Sequence, residues 1–164
     1  MWRAYELRPA PVPTLDPGGE YLARVWASSV YPLAERLGMK IRLPPVQPRS
    51  RLAHEAAHWA RSEGRFDDYN AAVFRAFFER GEDIGEQRVL VALATELGLA
   101  GDSLRRALDD RALERSVLDD ERDARMLGVR GVPAFIADRK TLLSGVQPVA
   151  NLKRWIEQAR SSDE

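Results

Sequence analysis

Two histidines one helical turn apart, His54 and His58, flank Glu55 in the run His54-Glu55-Ala56-Ala57-His58. That spacing matches the helix-borne zinc motif HExxH, in which the imidazoles bind metal and the glutamate acts as general base. They are the only histidines in the chain, so a third ligand has to be acidic, and Glu79 and Glu82 lie downstream. Helical geometry puts both histidines on the polar face, opposite Leu52, Ala53, Ala56 and Ala60. A catalytic metal site instead needs its ligands to line a cleft with an apolar wall. The expectation is therefore a helix face without metal or other cofactor. A zinc hydrolase built on His54, Glu55 and His58 is the lesser alternative.

The second stretch with chemical potential is Gly131-Val132-Pro133, which leads into the apolar run Ala134-Phe135-Ile136-Ala137. A short apolar run bounded by turn residues reads as a buried strand. Pro133 can donate no ladder hydrogen bond, so it belongs at the strand's start, at an edge or at a bulge. Thiol chemistry is excluded for this chain, because it contains no cysteine and the thiolate is the reacting species. There is no G-x-S-x-G nucleophile elbow and no G-x-x-x-x-G-K phosphate loop. The four tryptophans, Trp2, Trp26, Trp59 and Trp155, read mainly as packing residues.

The elements that position these residues follow from periodicity and punctuation. Residues 2–7 alternate apolar and polar and predict a strand. Pro9, Pro11 and Pro13 impose an extended connector, and Asp16-Pro17-Gly18-Gly19 predicts a turn. A helix starts at Glu20, is broken or restarted at Pro32 and stops at Gly38. Ser50 is placed to cap a helix over 51–63. A second helix over 66–80 carries the stripe Tyr69, Val73, Phe74, Phe77 and Phe78 and ends at Gly81. A third covers 86–97, Asp102 is expected to cap a fourth, and a fifth with Leu113, Val117, Ala124 and Leu127 along its seam stops at Gly128. Residues 134–137 and 141–144 form a hairpin across the turn Asp138-Arg139-Lys140, and Leu152, Trp155, Ile156 and Ala159 at helical spacing predict a last helix. A strand far from a hairpin, with helices between, suits an α/β layer.

The stretch Leu127-Gly128-Val129-Arg130-Gly131-Val132-Pro133 onward to Gln147-Pro148 resembles the C-terminal hairpin of the thioredoxin-like DsbA family, the FrnE-type branch above all. Trp2 to Pro9 resembles that branch's second core strand, and residues 53–99 its helical insertion. The likeness spans most of residues 1–157. It implies an α/β thioredoxin-like fold with a large helical insertion, N-terminally incomplete, as a single domain over 1–164. Residues 1–13 and 129–164 would form the sheet part and 20–127 the insertion. It further implies a cis peptide before Pro133 and a substrate edge formed by Gly131, Val132 and Pro133, with Trp2 nearby, pairing with an extended peptide. The family's Cys-x-x-Cys helix lies before the residues matching Trp2 to Pro9, as does the serine that chromene-carboxylate isomerase relatives use. The chain as written is thus expected to be redox-inactive and a peptide- or partner-binding module, with an N-terminally truncated form of an active thiol-disulfide oxidoreductase as the alternative. Without the family's first strand, three outcomes are open: a later start than the native one, direct pairing of the two flanking strands, or a gap filled by another chain in a homodimer.

Composition narrows the partners. Lys plus Arg and Asp plus Glu are 25 each, so the formal net charge is zero. That is no field for a nucleic acid. Acidic and basic residues interleave, as in Asp119-Asp120-Glu121-Arg122, which predicts solvated helix faces with ion pairs. No apolar run approaches the roughly 18 residues that span a bilayer, and Met1-Trp2-Arg3-Ala4 does not begin a signal-peptide core. No membrane association is expected, and the expected location is the cytoplasm.

Overall fold

The computed structural model describes residues 1–161. Its elements are α1 (Glu20–Val25), α2 (Tyr31–Arg36), α3 (Arg51–Ser62), α4 (Phe66–Arg75), α5 (Gln87–Glu96), α6 (Gly101–Asp109), α7 (Glu114–Met126), β1 (Ala134–Ala137), β2 (Thr141–Ser144) and α8 (Val149–Ser161). Two short π-helical turns, Trp26–Val30 and Ala76–Arg80, follow α1 and α4. The chain forms two compact units, Arg8–Val117 and Met1–Leu7 with Leu118–Glu164.

The unit of residues 8–117 is helical. Its core takes Ala53, Ala56, Trp59 and Ala60 from α3, Tyr69, Ala72 and Val73 from α4, Val89, Leu90, Leu93 and Ala94 from α5, and Leu104 and Leu108 from α6. Ala56, Ala60 and Ala94 are wholly buried, and such short side chains let helix backbones approach closely. Leu90, Leu93 and Leu104 fill the space between, each contributing about 1.5–3 kcal/mol of burial. The Tyr69 hydroxyl donates to the Leu90 carbonyl at 2.9 Å, tying α4 to α5. A Cβ on Gly101 would stand 2.5 Å from Thr95 Oγ1, so glycine lets the start of α6 lie against the end of α5.

Of the local expectations, one holds and three are corrected. Pro32 restarts the helix and does not end it. The π turn Trp26–Val30 precedes it and passes directly into α2, with Pro32 in the first turn, where a missing N–H costs little. Ser50 precedes α3 but makes no side-chain capping bond, and α6 begins with Ala100 at its N-cap, leaving Asp102 inside the first turn. The aromatic stripe also divides: Tyr69 and Val73 are buried, whereas Phe74 is 49% exposed. The π turn at the end of α4 redirects Phe77 and Phe78, which meet edge-to-face at 4.8 Å. Gly81 then closes that helix in the left-handed region at φ 70°, with the Glu82 N–H returning to the Ala76 carbonyl at 2.9 Å.

The second unit holds an antiparallel hairpin and α8. The register is Ala134↔Ser144, Phe135↔Leu143, Ile136↔Leu142 and Ala137↔Thr141. Asp138 and Arg139 both have positive φ, and the Lys140 N–H donates to the Ala137 carbonyl at 3.0 Å, a primed turn of the kind that suits strand twist. The strand expected over 2–7 is absent: the sheet among the described residues is β1–β2 alone. Strand hydrogen bonds need a neighbouring strand, and residues 2–7 have none. The direct pairing of the two family strands is therefore not what this chain does.

Candidate functional site

Beyond the end of α7, Gly128 takes φ 81°, and the chain turns through buried Val129 into Arg130-Gly131-Val132-Pro133. Gly131 is half-buried, and Val132 and Pro133 are exposed. The Val132–Pro133 peptide is cis. Pro133 immediately precedes β1, as its missing donor requires, and its carbonyl accepts from the Gly145 N–H at 2.8 Å.

That bond sets which backbone groups face which way. Antiparallel pairs alternate between bonded and non-bonded positions, so with Pro133↔Gly145 bonded, Phe135 and Ala137 also point their amide groups toward β2. Ala134 and Ile136 point theirs to the opposite side, where the sheet has no further strand among the described residues. All four β1 side chains are half-buried. The result is an apolar strand with one open row of donors and acceptors, entered from the 49% exposed Val132. Such an edge can add an extended peptide through main-chain hydrogen bonds.

Segment 2–7 of the same unit is extended but is held by side chains. The Ala4 N–H donates to Asp120 Oδ2 at 3.0 Å, and the Glu6 N–H donates to Glu121 Oε1 at 3.3 Å. Arg3 adds an ion pair to Asp120 Oδ1 at 2.7 Å. The Tyr5 hydroxyl reaches the Val129 carbonyl at 3.3 Å, joining this segment to the strand-entry turn. Asp120 and Glu121 are 5% and 2% exposed, so the solvated face expected for 119–122 is corrected at these two positions. The signal was present: Val117, Asp120, Glu121 and Ala124 are spaced as one helical seam, and two members of that seam are acids. Trp2 stands on this segment, 62% exposed, and the three strand-entry residues are contiguous on another.

The histidine pair lies in the other unit. His54 and His58 are half-buried, while Glu55 is 2% exposed with Oε2 accepting no hydrogen bond. Burial pushes its carboxyl above the ordinary 4.5, Glu114 adds to the rise, and Arg51 and Arg111 oppose it. A general base must reach a substrate, and Glu55 faces the packed interior instead. Among the described residues no group of three or more His, Cys, Asp or Glu is placed to hold a metal ion. Glu79 and Glu82 do not complete the motif, so the zinc arrangement lacks its third ligand.

A two-stranded hairpin led by a proline, with a large body of helices inserted before it, defines a helix-rich thioredoxin-like protein. The DSBA-like thioredoxin domain family matches residues 2–157. The chain belongs to that family. It is 40% identical over 116 residues to the uncharacterized protein YwbO of Bacillus subtilis, a match covering 69% of this chain and 58% of that one. The chain thus spans little more than half the length of this curated relative. Among solved structures, a probable DsbA oxidoreductase from Streptomyces coelicolor superposes with a TM-score of 0.73 at 26% identity, covering 97% of this chain and 74% of that one. A 2-hydroxychromene-2-carboxylate isomerase superposes with a TM-score of 0.73 at 16% identity, covering 88% of this chain and 70% of that one, a likeness of fold alone.

Proposed function

We propose that the chain is a DsbA-family module that binds an extended peptide or protein segment without performing thiol–disulfide exchange. The observation that carries the proposal is the open edge of β1 at Ala134 and Ile136, which follows the exposed Val132–Pro133 entry, in a polypeptide without cysteine. Dithiol exchange proceeds by thiolate attack on a disulfide sulfur, and this chain supplies neither group. Gly131, Val132 and Pro133 form the entry of the binding edge, and Trp2 is its candidate aromatic contact. The proposed setting is the cytoplasm, where thiols are kept reduced and a fold without disulfides loses nothing. No helix of the described residues is long and apolar enough to cross a membrane.

The test has two arms. Insulin reduction in the presence of dithiothreitol should run at the uncatalysed rate, and turnover above it refutes the inactive reading. Fluorescence anisotropy with labelled, unstructured peptides rich in β-branched residues should show saturable binding that Val132→Asp weakens. Binding indifferent to that change removes Val132 from the site. A second reading rests on the length of the relatives, since this chain covers 58% of YwbO. In it, an adjoining segment bearing Cys-x-x-Cys completes a disulfide oxidoreductase. Reading the adjoining coding sequence in frame for that motif decides between the two.

A further inference from the structure

Within the helical unit Glu55 is the buried acid, with Oε2 sealed from solvent and accepting no hydrogen bond. What α4, α5 and α6 contribute to the core beside α3 is apolar: Tyr69 and Val73, Leu90 and Leu93, Leu104 and Leu108. The charges that bear on Glu55 come from three places. Arg51 lies one turn earlier on α3, Arg111 lies in the turn between α6 and α7, and Glu114 is the first residue of α7. The half-buried His54 and His58 share α3 with it.

Arg111 holds an uncommon position. At the end of α6 its N–H donates to the Leu108 carbonyl at 3.1 Å, and the Ala112 N–H returns to the Ala107 carbonyl at 2.9 Å. Arg111 itself takes the left-handed region at φ 52°. Helix stops of this form ordinarily place glycine there, and a side chain at that position strains the backbone. What arginine supplies and glycine does not is a guanidinium, and it pairs with Glu114. One exposed cation thus stands before two carboxylates, one of them buried. While Glu55 is protonated, Arg111 serves Glu114 alone, at a helix start where the dipole also favours a carboxylate. A buried carboxylate without a partner is costly, so an ionised Glu55 competes with Glu114 for the same guanidinium.

We propose that Arg111 is a counter-ion shared by Glu55 and Glu114, and that ionisation of Glu55 draws it from Glu114 and loosens the first turn of α7. The α6–α7 corner is then a pH-sensitive latch. Burial and the charge of Glu114 raise the Glu55 carboxyl above 4.5, with Arg51 and Arg111 opposing. The latch is therefore closed below that raised value and opens as pH climbs through it. It works inside the helical unit and is independent of peptide addition at β1.

The experiment is amide hydrogen exchange of the full chain by NMR from about pH 4 to pH 8, a range that brackets an upward-shifted carboxyl. The Val117 amide, which donates to the Leu113 carbonyl at 3.2 Å in the first turn of α7, is the reporter. Its protection, corrected for intrinsic exchange, should fall about twofold, the worth of one helical ion pair. The fall should share its midpoint with the 13C carboxyl signal of Glu55 and with the 15Nε signal of Arg111. Glu55→Gln should keep Val117 at the higher protection throughout. Arg111→Gly, which suits the left-handed turn, should abolish the step and raise the Glu55 midpoint. His54 and His58 remain in both variants, so a step that survives in Glu55→Gln belongs to another group and overturns the proposal. Protection of Val117 that is indifferent to pH in the parent chain overturns it as well. Should Glu55→Gln fail to fold, Glu114→Gln gives the answer. It should remove the step and lower the Glu55 midpoint, and a step or midpoint left unchanged refutes the shared counter-ion.

Discussion

Removing one oxygen from Tyr69 tests whether the helical unit is held by a specific cross-helix bond or by burial alone. Tyr69 is wholly buried, and its hydroxyl donates to the Leu90 carbonyl of α5 at 2.9 Å. Burial also pushes the phenol's pKa upward, so the group is a neutral donor at any pH the fold survives. Tyr69→Phe keeps the ring and its packing, so the cavity term is close to nil. The Leu90 carbonyl retains its own helical partner four residues on, which leaves no fully orphaned acceptor. The loss should therefore be that of one net buried hydrogen bond, about 1–1.5 kcal/mol. Tyr69→Ala, which also empties the ring's space, should cost about 3–5 kcal/mol. Urea unfolding followed by circular dichroism reads both as a lower midpoint with an unchanged slope. A Phe variant as stable as the parent refutes the hydrogen-bond assignment. A Phe variant as damaged as the Ala variant shows that more than this one hydrogen bond joins α4 to α5 through the Tyr69 hydroxyl.

Three further outcomes follow from single sites. Glu55 holds its proton more tightly folded than unfolded, because burial raises its pKa above 4.5; its stabilising contribution is present below that pH and lost as pH rises through the raised value. Glu55→Gln should thus be the more stable form at pH 7–8, by about 1 kcal/mol for one relieved buried acceptor, and should lose that advantage near pH 4; an advantage equal at both ends contradicts this. Gly101→Ala should cost about 1–3 kcal/mol of overpacking, because the added methyl meets Thr95 Oγ1 at 2.5 Å and Val91 Cγ1 at 3.3 Å, and Thr95→Ala should restore part of it; the pair being merely additive denies the contact. Val132→Asp, at a 49% exposed position, should move the unfolding midpoint by no more than about 0.5 kcal/mol while weakening peptide anisotropy; a large stability loss means that Val132 is structural.

The helices were legible because their signals are local. The 3.6-residue recurrence of Leu, Ala and Val located α3 to α8, and Gly38, Gly81, Gly98 and Gly128, all found at positive φ, marked the stops that glycine alone takes without strain. The hairpin was legible from an apolar run, a polar turn and a second run. The family was legible from the order of these pieces, and the matching of residues 2–157 agrees with it. The lack of cysteine in this sequence was legible from composition alone.

Tertiary structure decided what depends on neighbours. Alternation in 2–7 marks a segment able to be a strand, but a ladder needs a second strand, and here buried carboxylates accept its amides instead. The run Asp119-Asp120-Glu121-Arg122 specifies only charge; which of those acids are buried follows from what α7 packs against. Likewise His54-Glu55-Ala56-Ala57-His58 satisfies a spacing rule, whereas burial of Glu55 and the lack of a third ligand among the described residues are properties of the packed helices. Periodicity is written in the order of residues along one chain, but solvation and hydrogen-bond partnership are set by groups distant in that order.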